Sequence, residues 1–123
     1  MHRIAVLGAP KNFEKTLGAL PDTVSLAKKL GGKAKRDVIV QFVLEKAVLK
    51  RELPRLMASL EENGGLWVAW PKKSSGVETD MTEDRVRELA LPRGLVDNKV
   101  CAIDETWSGL RLVIRRELRP PAV

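Results

Sequence analysis

The sequence predicts an α/β fold, a mostly parallel sheet of about five to six strands with a C-terminal antiparallel hairpin. Three observations carry this. Short β-prone runs alternate with stretches of helical periodicity. The run "DVIVQFVL" (residues 37–44) is apolar at nearly every position, the pattern of a strand buried on both faces, as in a parallel sheet. The last third holds two strand-like runs separated by the four residues "TWSG", a hairpin-length connection.

The elements follow in order. "RIAVLG" (residues 3–8) is a first strand ended by Gly8 and Pro10. "NFEKTLGAL" (residues 12–20) reads as a helix, with Asn12 as N-cap and Phe13, Leu17 and Leu20 on one face. "TVSLA" (residues 23–27) is a second, weaker strand. About nine residues separate it from the third, fewer than the dozen or more that a parallel crossover usually needs. The crossover is therefore extended, or the second strand pairs elsewhere. From Glu45 to Asn63, Val48, Leu49, Leu53, Leu56, Met57 and Leu60 follow helical spacing. Pro54 inside that stretch predicts a kink or a fresh helix start. Gly64 and Gly65 read as its C-cap, followed by the strand "LWVAW". Asp80 and Glu83 fit a capping box for the next helix, with Thr82 a rival cap. Val86, Leu89, Ala90 and Leu91 form its buried face, and Pro92 and Gly94 end it. In the last strand Leu110, Leu112 and Ile114 alternate with Arg111, Val113 and Arg115, one face buried and one partly wet.

With 123 residues, 44% hydrophobic and 31% charged, the chain is expected to form one globular domain over residues 1–118, with a frayed tail at 119–123. Aromatics are 4% and tyrosine is absent, so the core must be aliphatic. The net charge of +6 favours acidic partners. Its basic stretches "KKLGGKAKR" and "RLVIRRELRP" have no interleaved aromatics for base stacking, which argues against nucleic acid. No apolar run approaches the roughly 20 residues of a membrane span. There is no signal-peptide pattern, and a single cysteine permits no internal disulfide. A cytoplasmic location without membrane contact is the resulting expectation.

Ligands of open α/β sheets bind beyond the carboxyl ends of the parallel strands. Four segments are expected there: residues 8–12, 44–46, 70–76 and 104–109. The candidate ligand-binding residues are Trp70, Lys72, Lys73, Ser74, Ser75 and Gly76 from one loop, and Asp104, Glu105, Trp107 and Ser108 from the hairpin turn. The lysines offer positive charge to a small anion and the serines offer hydrogen bonds, aided by the following helix N-terminus. Asp80, Thr82, Glu83 and Gly109 are caps and turn residues. Trp67 is read as core and Trp70 as a pocket cap. Trp107 either staples the hairpin to the loop, walls a ligand site, or faces a partner. Asp104 and Glu105, adjacent on an extended chain, point oppositely and cannot act as a pair on one substrate. Cys101 has no histidine to activate it, since the only one is His2. Neither a metal cluster nor a nucleophile–histidine pair can be assembled.

The order strand, helix, glycine pair, strand, helix, hairpin over residues 37–116 is similar to the later half of class I methyltransferases, which have a Rossmann-like fold. Their cofactor motif is missing. "GAPKNF" has one glycine and then a proline, which removes an N–H donor. The run "SLAKKL" carries lysines where an acidic ribose ligand is expected. No cofactor is therefore expected.

"GGLWVAWPKKSSGVETDMTED" and "GLVDNKVCAIDETWSGLRLV" resemble a bacterial family catalogued only as domain of unknown function 3052. The resemblance covers residues 3–116 and is densest in those two stretches. The family's hallmark residues map onto Trp70, Pro71, Lys72, Lys73, Ser75, Gly76, Thr79, Asp80, Thr82, Glu83, Asp104, Glu105, Thr106, Trp107, Ser108 and Gly109. Members often carry a short segment before the first strand, which this chain is expected to lack. The resemblance implies a site and no activity. Three functions are compatible with these residues. They are a non-catalytic or small-anion-binding module, an interaction module pairing with a second copy or another protein, and a diverged methyltransferase-like enzyme.

Overall fold

The computed structural model describes residues 2–9, 24–27 and 35–115. The helix expected over 12–20, the basic run over 28–34 and the tail from 116 lie outside them. Six strands form one sheet: β1 (His2–Leu7), β2 (Val24–Ala27), β3 (Arg36–Phe42), β4 (Leu60–Pro71), β5 (Leu95–Ala102) and β6 (Trp107–Ile114). Their order is β2-β1-β3-β4-β6-β5. The first four are mutually parallel, and β6 runs antiparallel to both β4 and β5. The second strand pairs with β1, on the side away from β3, so β2 and β3 are not neighbours. The hairpin does not simply extend the edge. Its second strand inserts beside β4 and leaves β5 outermost.

Among the described residues two helices, α1 (Lys46–Ala58) and α2 (Glu83–Ala90), pack on one face. Side chains alternate across each strand, so Ala5, Leu7, Ile39, Val43, Leu66, Val68, Trp70, Leu110 and Leu112 meet Leu49, Leu53 and Leu56 of α1 and Val86 and Ala90 of α2. The opposite face carries a smaller cluster of Val6, Phe42 and Ala69, flanked by Ile4, Val40, Ile103 and Trp107. Helix α1 runs through Pro54 without a break. Pro54 and Lys50, whose carbonyl loses its usual donor, are both exposed, so water can satisfy that oxygen. Arg87 ties α2 to β5 by reaching Glu83 at 2.5 Å and Asp97 at 3.1 Å. Those hydrogen bonds, Glu83 first, hold its guanidinium above its ordinary pKa.

Two expected boundaries move. Helix α1 stops at Ala58 rather than reaching Asn63, and Gly64 and Gly65 lie buried inside β4 rather than capping a helix. Neither glycine has a positive φ. Close approach is what they provide. A Cβ on Gly64 would lie 2.7 Å from Asp37 O, and one on Gly65 would lie 2.6 Å from Arg111 Nε. Leu60 leaves the helical pattern because Arg36 captures this segment into the sheet: Arg36 N donates to Ser59 O at 2.7 Å, and Arg36 aligns with Leu60. The chain then bulges, since Leu60 to Gly65 of β4 faces only Arg36 to Val38 of β3.

Gly64→Ala is expected to destabilise the fold by about 1–3 kcal/mol, because the obstacle is backbone. Gly65→Ala is expected to cost less, because a flexible guanidinium can move aside. Urea denaturation of both variants checks the order.

Candidate functional site

The carboxyl ends of β1 and β3 mark a switch point, since the sheet continues to β2 on one side and to β4 on the other. Open α/β sheets place ligands in such a crevice. Here β1 is followed by Gly8, whose φ of 68° only glycine adopts readily, and a Cβ there would lie 3.0 Å from Phe42 O. Gln41 of β3 is aligned with Leu7 at the carboxyl end of β1. It is 7% exposed, the only buried polar or charged side chain among the described residues. Its amide donates to Phe42 O at 2.9 Å and, at 3.5 Å, to Leu7 O.

The loop after β4 is fastened at three places. Lys72 N donates to Thr106 O at 2.8 Å, and Lys72 Nζ donates to Asp104 O at 2.6 Å. Ser75 Oγ donates to Lys72 O at 2.6 Å and accepts from Val77 N at 3.2 Å, closing a short turn over Lys73–Ser75. Farther on, Thr79 Oγ1 donates to Leu44 O at 2.5 Å and accepts from Met81 N. Asp80 Oδ1 accepts from Lys46 N at 2.7 Å, the first helical residue of α1. Glu45, the N-cap residue by position, makes no side-chain cap. Asp80 therefore caps α1 from 34 residues away, and its negative charge sits at the positive end of that helix. The cap of α2 is Thr82, whose hydroxyl accepts from Arg85 N at 3.2 Å. This corrects the capping box expected from Asp80 and Glu83.

The hairpin turn comes earlier than expected, over residues 103–106, and Trp107 already belongs to β6. Asp104 Oδ1 accepts from Thr106 N and Trp107 N, each at 2.8 Å, so its carboxylate organises the turn. Trp107 packs edge-on against Phe42, ring centroids 4.9 Å apart at 84°. Ser108 and Gly109 are strand residues aligned with Trp70 and Ala69.

The structure thus brings Lys72, Asp104 and Trp107 together but engages the Lys72 ammonium and the Asp104 carboxylate with backbone groups of the turn. Trp70 is 6% exposed in the main core, so it cannot cap a pocket, and Trp67 is the partly exposed one. The reason is the pleat. Trp70 shares the face that α1 and α2 cover, while Trp67 lies on the other. Lys73, Ser74, Gly76 and Glu105 are exposed. Sequence reasoning missed Gln41, although a lone amide inside "VIVQFV" is a readable signal. It also missed Asp80 as the cap of α1, which no local pattern announces. Among the described residues no group of His, Cys, Asp and Glu could hold a metal, and no helix is long and apolar enough to cross a membrane.

The chain matches no protein-family model and no curated protein sequence. Solved structures do share its fold. The ribosomal protein L11 methylase of Lactobacillus delbrueckii subsp. bulgaricus is similar with a TM-score of 0.61 at 14% identity, over 93% of this chain and 70% of that one. A S-adenosylmethionine-dependent methyltransferase of Clostridium acetobutylicum ATCC 824 gives 0.61 at 9% identity, over 93% and 84%. The glycopeptide N-methyltransferase MtfA, complexed with S-adenosylmethionine, gives 0.61 at 9%, over 93% and 87%. The fold is Rossmann-like, that of the class I methyltransferases.

The described residues at the switch point do not offer the usual cradle for the cofactor that those two methyltransferases name. A cradle for it needs backbone N–H groups free to approach the ligand. Among the described residues Gly8 is the one glycine there, and the Gln41 amide donates to Leu7 O and Phe42 O at the ends of β1 and β3; the sequence continues with a proline at position 10, a residue without an N–H.

Asp80→Ala is expected to remove about 0.5–2 kcal/mol, the usual worth of an N-cap, by fraying α1 although Asp80 lies outside it. Hydrogen exchange at the first turn of α1 checks this, with Thr82→Ala fraying α2 as the control.

Proposed function

We infer that this is a diverged methyltransferase-like protein whose role is to bind a small organic anion at the carboxyl edge of its sheet. Exposed apolar and cationic groups together on that edge carry the reading. Leu44 and Val77 are 43% and 41% exposed. The bond from Thr79 to Leu44 O holds their two segments side by side. Lys73 and Ser74 stand exposed in the turn just before Val77. An apolar body over Leu44 and Val77, with its charge toward Lys73 and Ser74, suits a carboxylate or a phosphate ester. Lys72 takes no part, because its ammonium donates to Asp104 O. Lys72, Ser75, Thr79, Asp80 and Asp104 hold the frame. No general base stands in this set, and no transfer step is assigned to it.

A self-associating module is the second reading. It rests on β5, an edge strand on which Val100 is 49% exposed. A single monomeric species at every concentration in sedimentation excludes it.

A thermal-shift screen of organic carboxylates and phosphate esters tests the main reading. A ligand at about 100 times its Kd adds roughly 2.7 kcal/mol. Lys73→Ala is expected to abolish that shift while leaving the ligand-free melting temperature unchanged, and Lys72→Ala to lower that temperature. Silence of the wild-type chain across the panel, or a shift untouched by Lys73→Ala, overturns the assignment.

A further inference from the structure

We propose that the sheet face opposite the two helices binds single-stranded nucleic acid through a row of side chains crossing β5, β6 and β4. Lys99 aligns with Arg111, and Arg111 with Trp67. Aligned residues of neighbouring strands share a face, so an indole and two cations stand in line. Lys99 is exposed, and Arg111 and Trp67 are partly exposed. Neither cation has an ion-pair partner among the described residues.

Two glycines give the row its shape. The position a Cβ of Gly65 would take lies 2.6, 2.9 and 2.9 Å from Arg111 Nε, Cζ and Nη2. The guanidinium therefore lies across Gly65, in the space that a side chain there would fill. A Cβ on Gly109 would lie 2.9 Å from Ile103 Cδ1 and 3.2 Å from Trp67 Cε3, so Ile103 and the indole both rest close against that backbone. The result is a platform on which an indole and a guanidinium both lie close over glycine backbone, with Lys99 aligned beside Arg111.

Such a platform combines the two elements that bind single strands, a π-face for a base and cations for the flanking phosphates. The linear sequence hides it, because its basic stretches contain no aromatics and the interleaving exists only across strands. A second copy of the chain is a poor occupant, since two such cationic rows would repel on a protein of net charge +6. An acidic peptide would satisfy the cations and leave the indole without a stacking partner. This platform is separate from the carboxyl-edge site and does not depend on it.

Fluorescence anisotropy with a labelled oligouridylate tests the proposal over a range of salt. Saturable binding that weakens with salt is expected. Lys99→Gln and Arg111→Gln should each reduce the slope of log affinity against log salt by about 0.7, the value for one phosphate contact on a single strand. Trp67→Leu, which keeps apolar cover over Gly109, should weaken binding at least about fivefold with the slope unchanged. Lys99 is exposed, so its variant keeps the fold and remains informative whatever the other two do. No saturable binding at low salt, a slope unmoved by Lys99→Gln, or equal binding of a polyglutamate of matched charge overturns the proposal.

Discussion

Strand β4 pairs in parallel with β3 and antiparallel with β6, and the rest of the structure is arranged around that change of direction. Leu66, Val68 and Trp70 enter the core under the helices, while Trp67 and Ala69 face the other way. The strand holds the backbone so close at Gly64 that no Cβ fits against Asp37 O. At its carboxyl end Lys72 meets the hairpin turn through both its main chain and its ammonium. A shift of β4 by one residue would exchange the two tryptophans and drive polar residues into the core. That constraint fixes which indole is buried and which faces outward.

The carboxyl edge follows from it. Loops beyond strand ends often carry function, yet here most of their polar groups satisfy backbone. Asp104 organises its own turn, Ser75 closes the turn over Lys73–Ser75, and Asp80 caps a helix to which it is not joined. Each such group spares a buried or helix-end donor from going unpaired. What is left to meet a ligand is a smaller set, the groups that point out of this framework.

Much of the fold was legible in the sequence. Uninterrupted apolar residues around Ile39 and Val40 announced a parallel strand, and alternation from Leu110 to Ile114 announced the two faces of β6. The boundary at Ala58 was not legible, because Leu60 continues the helical spacing and only its alignment with Arg36 draws it into the sheet. Gly64 and Gly65 looked like a cap because sequence cannot distinguish glycine chosen for φ from glycine chosen for clearance. The polar loop follows the carboxyl end of β4, where Lys72 meets Asp104. Which lysine faces solvent depends on the far turn, 32 residues away, and no local pattern encodes that. The row from Lys99 to Trp67 joins three strands and was equally invisible.

The fold is that of the class I methyltransferases, while a glutamine amide donates to Leu7 O and Phe42 O at the ends of β1 and β3, where a cofactor's approach would require bare backbone. We propose that this fold is used here without that cofactor. Isothermal titration of the purified chain with S-adenosylmethionine and S-adenosylhomocysteine tests it most directly. The expected result is no saturable heat with either compound. Stoichiometric binding of either one would contradict the account and return the chain to the enzymes whose fold it shares.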